Sequence, residues 1–572
     1  MVDLENTIES FKSQGNLAFK KRDYSTALSL YTQGISMFPN SQVLYLNRAL
    51  VYLSEHKYLE SLSDSSKAIE LDNKNAKAYY RKACALQELG ELESALSVLN
   101  QCRQLIPDSK NIEEITNLKE EITKELEKGV YLPASHPERK KFNDLIRWLV
   151  DGGAIFPKIH IEFYSQDSRG VHCIRTINKK ECILYIPPTH IITLELAQSS
   201  PIGQKMLANN LKLLSPKHCY LSTFIIQEKR KPDSFWAPYI KILPEYFRNF
   251  PIFFTEEEKE CLIGTAFIDL VNEKIVDIKE DYNTICSVAP EFAEVSFEEF
   301  CRVRMAVSSR IFGMEIEKKS TDGFVPLADM LNHQKARQTS WKFCQQRNGF
   351  IIEAAVDIFK GQEVLDSYGI KCNSRFLLNY GFTLDDNDAN EFPYLIKITE
   401  DLPFYEEKLD FLKARSHAFR MLKDTSKPCF QEMFTYMRLI EVDDLDFLNQ
   451  VIDEFLDNDF FIQGKYLNAF SLDIEKKILQ RLEKMSIEYL QRYPNSLEED
   501  EEALKNEVIQ NKKNCIVMRM GEKLILNYYL KMAQEILAVV DLPSAFIDLG
   551  KISPPYRSYV VSSLIPLKNR PR

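Results

Sequence analysis

The sequence has little that would hold a metal or enter a membrane. Its 12 cysteines are scattered, and no two stand as CxC or CxxC. That spacing points to reduced thiols and removes the usual sign of a structural zinc. The 8 histidines form no HxxxH pair, so no metal is expected. No uninterrupted apolar run approaches the ~18 residues a membrane helix needs. The opening stretch MVDLENTIESFKSQGN lacks the apolar core of a signal peptide. The expectation is a cytoplasmic or nuclear protein without a membrane partner. A formal net charge of −10 argues against a general nucleic-acid binder.

What is present is enough chain for several cores. At 572 residues, 45% hydrophobic and 27% charged, the composition is that of a soluble globular protein with three or four domains. The N-terminal part repeats itself. Ala27, Ser61 and Ala95 lie 34 positions apart, as do Gly34, Ala68 and Cys102, and Pro39, Asn73 and Pro107. Small residues recur where two helices approach closely, and Pro or Asn recurs where each repeat turns. This period resembles that of tetratricopeptide (TPR) repeats. Three repeats and a capping helix are expected over residues 1–128, then a linker over 129–142. The stretch NDLIRWLVDGG reads as a short amphipathic helix ended by Gly152 and Gly153. Strand-like runs follow at VHCIRTI and CILYIPP, helical patterns at about 194–310, and strand-like runs again at FVPLADML, GFIIEAAVDI and EVLDSY. Beyond about residue 393 the periodicity is mainly helical, and Ser496 with Glu499 forms a capping-box pattern.

In the stretch PLADMLNHQ, Asp329, Asn332 and His333 interrupt an apolar run. Taken singly, Asn332 and His333 suit a strand-end cap, Tyr380 and Phe382 suit plain core, and Tyr368 before a glycine suits a turn. Their order with other motifs changes that reading. DSRGVHCI (167–174), SSRIFG (308–313), ADMLNHQ (328–334) and LDSYGIKCNSRFLLNYGF (365–382) follow one another. Together they resemble the SET domain, in the subgroup with a long helical insert whose best-known member methylates the large subunit of Rubisco. The stretches PFYEEKLDFLKARS, YMRLIEV and MRMGEKLIL resemble that subgroup's helical substrate-binding domain.

The resemblance implies a multidomain α+β protein: an N-terminal α-helical TPR solenoid, a central SET β-fold and a C-terminal all-α domain. The SET part, residues 143–392, would carry the helical insert and a pseudoknot threading the NH and NYGF segments past each other. The C-terminal domain would span 393–572. S-adenosylmethionine (SAM) is the implied cofactor, with Ser168, Arg169 and Gly170 in a turn against it. Ser168 stands where the family usually has glycine. Arg310 would pair with the methionine carboxylate, Asn332 would offer its amide to the amino-acid end, and His333 would give backbone contacts to adenine. Tyr368 matches the catalytic tyrosine, Tyr380 and Phe382 the aromatic wall, and Ala328 and Asp329 border the substrate pocket. The implied reaction is methyl transfer to a lysine ε-amine of a protein substrate by a monomeric enzyme. Two rivals stand beside it. One is the actin-type histidine methyltransferase of the same subgroup, which carries Trp where this chain has Ala328. The other is a non-catalytic chaperone adaptor with a degenerate SET domain.

On the first helix of each repeat, Lys12, Asn16, Asn47, Lys77 and Arg81 fall on one stripe. Three cations and two amides there suit a chain-terminal carboxylate. The set resembles the carboxylate clamp of Hsp70/Hsp90 co-chaperones, which makes an Hsp70 or Hsp90 C-terminal tail the expected partner. The other reading is a solvated groove for some other peptide or for none.

Overall fold

A computed structural model of the chain describes residues 2–89, 92–107, 109–127, 138–165, 168–455 and 466–569. The chain forms two compact units, one of residues 1–209, 217–244 and 310–368, the other of residues 210–216, 245–309 and 369–572.

The first unit opens with the helices α1 (Val2–Lys20), α2 (Tyr24–Met37), α3 (Gln42–Ser54), α4 (Tyr58–Leu71), α5 (Ala76–Glu88), α6 (Leu92–Leu105) and α7 (Ile112–Glu127). Pro39, Asn73 and Pro107 fall in turns between them, as the period requires. Ala27, Ser61, Ala95, Ala68 and Cys102 are all fully buried. A Cβ on Gly34 would come within 2.9 Å of the Leu44 side chain. Small residues recur because the neighbouring helix leaves no space. The expected linker lies mostly outside the described residues, and its last four positions already belong to α8 (Arg139–Asp151). Gly153, at φ +90°, turns the chain out of that helix.

The strands of this unit are β1 (Ile159–Phe163), β2 (Arg169–Cys173), β3 (Cys182–Ile186), β4 (Ile192–Thr193), β5 (Ile311–Ile316), β6 (Lys319–Phe324), β7 (Thr339–Cys344) and β8 (Gly349–Ala354). β1 and β2 make a hairpin, and two antiparallel three-stranded sheets run β3-β8-β7 and β4-β6-β5. The run FVPLADML is not a strand: β6 stops at Phe324, and Ala328–Met330 is a 3-10 turn. Pro326 brings no N–H to a ladder, and Leu327, at φ +71°, bends the backbone away from extended geometry. EVLDSY likewise forms no strand, and its ladder contacts are isolated bridges, His172 with Glu363 and His333 with Asp366. Polar contacts fasten the repeats to this sheet region. Arg175 pairs with Glu88 at 3.1 Å and Glu121 at 3.3 Å, and the buried Lys158 with Glu88 at 3.3 Å.

The second unit is mainly helical. Its long helices include Phe267–Val288, Pro428–Glu441, Leu472–Leu490 and Gln510–Val540. The last three and their neighbours enclose one core containing Phe434, Met437, Leu482, Leu526 and Tyr529. Ser496 and Glu499 form the expected capping box. The C-terminal part from about residue 393, expected to be all-α, is helical but also carries β9 (Phe392–Lys397) and β10 (Ser416–Met421), which form an antiparallel ribbon. Among the described residues no helix is long and apolar enough to cross a membrane.

Candidate active site

The residues of the interrupted run converge in the first unit. Arg310 is the last residue of the helix Phe297–Arg310. Its Nη1 donates to the Asp329 carbonyl at 2.9 Å and to Asp329 Oδ2 at 3.2 Å. The Tyr239 hydroxyl donates to the same Oδ2 at 2.9 Å. Asp329 therefore turns its carboxylate inward, with none of the side chain exposed. Arg169 lies close by, donating to the Ile242 carbonyl at 3.2 Å and stacking over Phe142. Burial and the neighbouring Arg310 charge pull Arg169 down to about 10, so it stays cationic at neutral pH. Burial and then Asp329 push Tyr239 well up. Arg169 and Arg310 face the Asp329 carboxylate here, and the Glu363 carboxylate lies nearby on the Asn332 amide. Arg310 Nε and Asp329 Oδ1 are buried there without a hydrogen-bond partner, a costly arrangement unless a ligand completes it.

Asn332 and His333 follow the strained turn at Leu327. Asn332 Nδ2 donates to the Arg169 carbonyl at 2.9 Å and to Glu363 Oε1 at 2.7 Å. Two acceptors on Nδ2 leave Oδ1 pointing the other way, with no hydrogen bond among the described residues. His333 Nδ1 accepts from the Tyr368 backbone N–H at 3.1 Å, which places the ring proton on Nε2 if the ring is neutral. The Tyr368 hydroxyl donates to the Leu331 carbonyl at 2.7 Å. These two bonds hold the tyrosine against the segment that carries Asn332. Ala328 is buried beside them in the 3-10 turn.

Sequence reasoning gave Gly170 a ligand to approach. The structure fills the space with protein: a Cβ on Gly170 would stand 2.2 Å from Glu363 Oε1 and 2.2 Å from the Tyr164 hydroxyl. The Ser168 carbonyl accepts from the Tyr164 N–H at 2.8 Å and closes the hairpin. Glu363, Tyr164 and Tyr239 were not read as site residues. No local motif marks them, and the site contacts of Tyr239 and Glu363 lie 90 and 31 positions away in sequence. Tyr380 and Phe382 belong to the second unit, where Phe382 stacks on Phe376 at 5.1 Å and Lys371 lies over the Tyr380 ring at 5.7 Å. Gly381 between them needs its φ of +78° to end the helix Asn373–Tyr380. Among the described residues no group of three or more His, Cys, Asp or Glu is placed to hold a metal.

In the helical arm, Asn47 Nδ2 donates to Asn16 Oδ1 at 3.2 Å, and the Tyr31 hydroxyl donates to the same oxygen at 2.7 Å. Arg81 donates to the Leu46 carbonyl, and burial pulls it down to about 10. Lys12 pairs with Glu9 at 3.0 Å, and Lys77 is exposed. The two amides thus meet, while Arg81 spends a donor within the fold.

Comparison with known proteins agrees with this geometry. The SET domain family model matches residues 168–369, the Rubisco LSMT substrate-binding model 399–526, and a tetratricopeptide repeat model 66–97. Actin-histidine N-methyltransferase of Mus musculus is 25% identical over 470 residues, 78% of this chain and 77% of that protein. The Homo sapiens protein of the same name is 25% identical over 439 residues, 73% of each. The crystal structure of the SET domain of LSMT bound to lysine and AdoHcy superposes with a TM-score of 0.61 at 19% identity, covering 72% of this chain and 93% of that one. Rubisco LSMT bound to AdoMet superposes with a TM-score of 0.59 at 20% identity, covering 69% and 92%. These neighbours share the fold, and the family models say which one: the chain carries a SET domain followed by a Rubisco LSMT substrate-binding domain, with a TPR repeat ahead of them.

Proposed function

We propose that this chain is a SAM-dependent protein methyltransferase and that a lysine ε-amine is its acceptor. The observation that carries the reading is the pocket of Arg310, Asp329, Asn332 and Tyr368. Its unsatisfied atoms fit the amino-acid end of SAM. A carboxylate would find its partner in Arg310, whose Nε is buried without a hydrogen bond. Asn332 Oδ1 is left to accept from an ammonium. SAM supplies a methyl group on a sulfonium, and transfer is an in-line displacement by a neutral nitrogen. The chain's own work is positioning and electrostatics. His333 and Leu331 fix Tyr368 from both ends, so its hydroxyl oxygen stands at a set distance from the Leu331 carbonyl. Those two oxygens favour a positively charged, polarised methyl group and can orient the incoming amine.

The small Ala328 supports lysine over histidine. The histidine reading is favoured by the names of the curated relatives, which are actin-histidine N-methyltransferases. Incubating lysate proteins with isotopically labelled SAM and this enzyme, then sequencing modified peptides by mass spectrometry, separates them. Labelled lysine is the expected result. Label on histidine would move the reading to the second acceptor, and no label on any protein would remove the catalytic one.

The arm supports a second, docking role. Lys12, Asn16, Asn47, Lys77 and Arg81 suit a peptide's terminal carboxylate, and a tail of the Hsp70/Hsp90 type ending Glu-Glu-Val-Asp is the partner we propose. The free-acid peptide should bind, at about micromolar Kd, and weaken with salt. Equal binding of the amidated peptide would show that no clamp operates.

A further inference from the structure

Glu363 has no part in the mechanism above, yet it touches the amide on which cofactor binding rests. Asn332 donates its two amide hydrogens to the Arg169 carbonyl and to Glu363 Oε1, at 2.9 and 2.7 Å. Only the second acceptor is a side chain. Without it, the amide would keep a single anchor and could turn about its last torsion, since terminal amide torsions are broad. Glu363 is itself held. The Tyr164 hydroxyl packs beside it in the space a Gly170 Cβ would fill, and the same hydroxyl lies 2.7 Å from His172 Nε2. His172 Nδ1 is in turn 3.2 Å from the Gly361 carbonyl. The missing Cβ of Gly170 provides the space in which the Glu363 carboxylate and the Tyr164 hydroxyl meet.

We infer that Glu363 is a positioning residue that sets the Asn332 amide with Oδ1 toward the cofactor's ammonium. The inference rests on the SAM reading above. Its rival is a structural role for Glu363 in the loop. The backbone already supplies that role: Glu363 bridges His172, and the Val364 N–H donates to the Val171 carbonyl at 2.7 Å. The carboxylate is therefore available for the amide. A charge-assisted bond is the stronger kind of anchor, and loss of an anchor should appear in cofactor affinity before it appears in stability.

The test is SAM titration by calorimetry on the full chain, with thermal unfolding recorded for each variant. Glu363→Ala should weaken SAM binding by about tenfold with little change in Tm. Glu363→Gln should recover most of the affinity, because its carbonyl oxygen can accept from Asn332 while its amide donates to Tyr164. The double variant Asn332→Ala/Glu363→Ala should bind no worse than Asn332→Ala alone, since the two act as one unit. Wild-type affinity in Glu363→Ala, no recovery in Glu363→Gln, or additive losses in the double variant would each overturn the inference. If Glu363→Ala does not fold, Glu363→Met, which keeps the bulk and loses the acceptor, carries the test: weaker SAM binding supports the positioning role, and unchanged binding overturns it. Failure of the folded wild-type chain to bind SAM would be a different result, and would remove the reading on which the inference stands.

Discussion

Tyr368 is the residue whose chemistry is most exposed to test. Its hydroxyl donates to the Leu331 carbonyl and its backbone N–H to His333. Tyr368→Phe keeps the ring and the backbone bond and removes only the oxygen. The variant should fold and bind SAM as the wild type does, while kcat on the modified protein falls steeply. Wild-type kcat would show that another group orients the amine. Asp329 marks how much of the site was legible. Its position in ADMLNHQ was visible in the sequence, but its direction was not. Only the fold shows that Tyr239 and Arg310 draw the carboxylate inward. Glu363 is illegible for the same reason: its neighbours sit on two distant segments, the hairpin of Tyr164 and Gly170 and the run that carries Asn332.

At the level of elements, the 34-residue period placed the helices of the arm because close packing writes directly into residue size. Ala27 has no exposed surface and belongs to the core with Tyr31, Leu44 and Val51. Ala27→Leu should cost about 1–3 kcal/mol through overpacking. Hydrogen exchange in the full chain should be faster across α1–α3 and unchanged in the second unit; unchanged exchange in the arm would mean the site has room. The run FVPLADML misled because a buried turn and a buried strand are equally apolar. Val325, Leu327, Ala328 and Leu331 are nearly or fully buried, and nothing in their composition records a φ of +71° at Leu327. The ribbon β9–β10 hides in an apolar run, because its exposed positions include Pro393 and Leu395. In FPYLIK, Phe392, Tyr394 and Ile396 are buried and their neighbours exposed, the two-residue alternation of a strand.

The whole molecule divides differently from its motif order. Residues 245–309, in the expected insert, group with 369–572 into one compact unit. Glu522 joins the insert to the C-terminal helices within that unit. It accepts from the N–H groups of Ala266 and Phe267 at 3.0 and 3.2 Å and from the Tyr493 hydroxyl at 2.6 Å. Burial outweighs these donors and raises the carboxyl from 4.5 to about 7. A carboxyl raised on folding binds more protons in the folded state than in the unfolded one across that window. Its contribution therefore favours the fold at low pH and is lost as pH rises from about 4.5 to 7. Glu522→Gln should flatten this part of the profile of unfolding free energy against pH; an unchanged slope would show that Glu522 is already ionised in the fold. The central claim, that the pocket of Arg310, Asp329 and Asn332 is a SAM site, meets its most direct test in calorimetry of the full chain with SAM. The account expects one SAM bound per chain, weakened in Asn332→Ala by about 1–3 kcal/mol as a buried cofactor group loses its partner. A folded wild-type chain that takes up no SAM, or an Asn332→Ala variant that binds as tightly as the wild type, would contradict it.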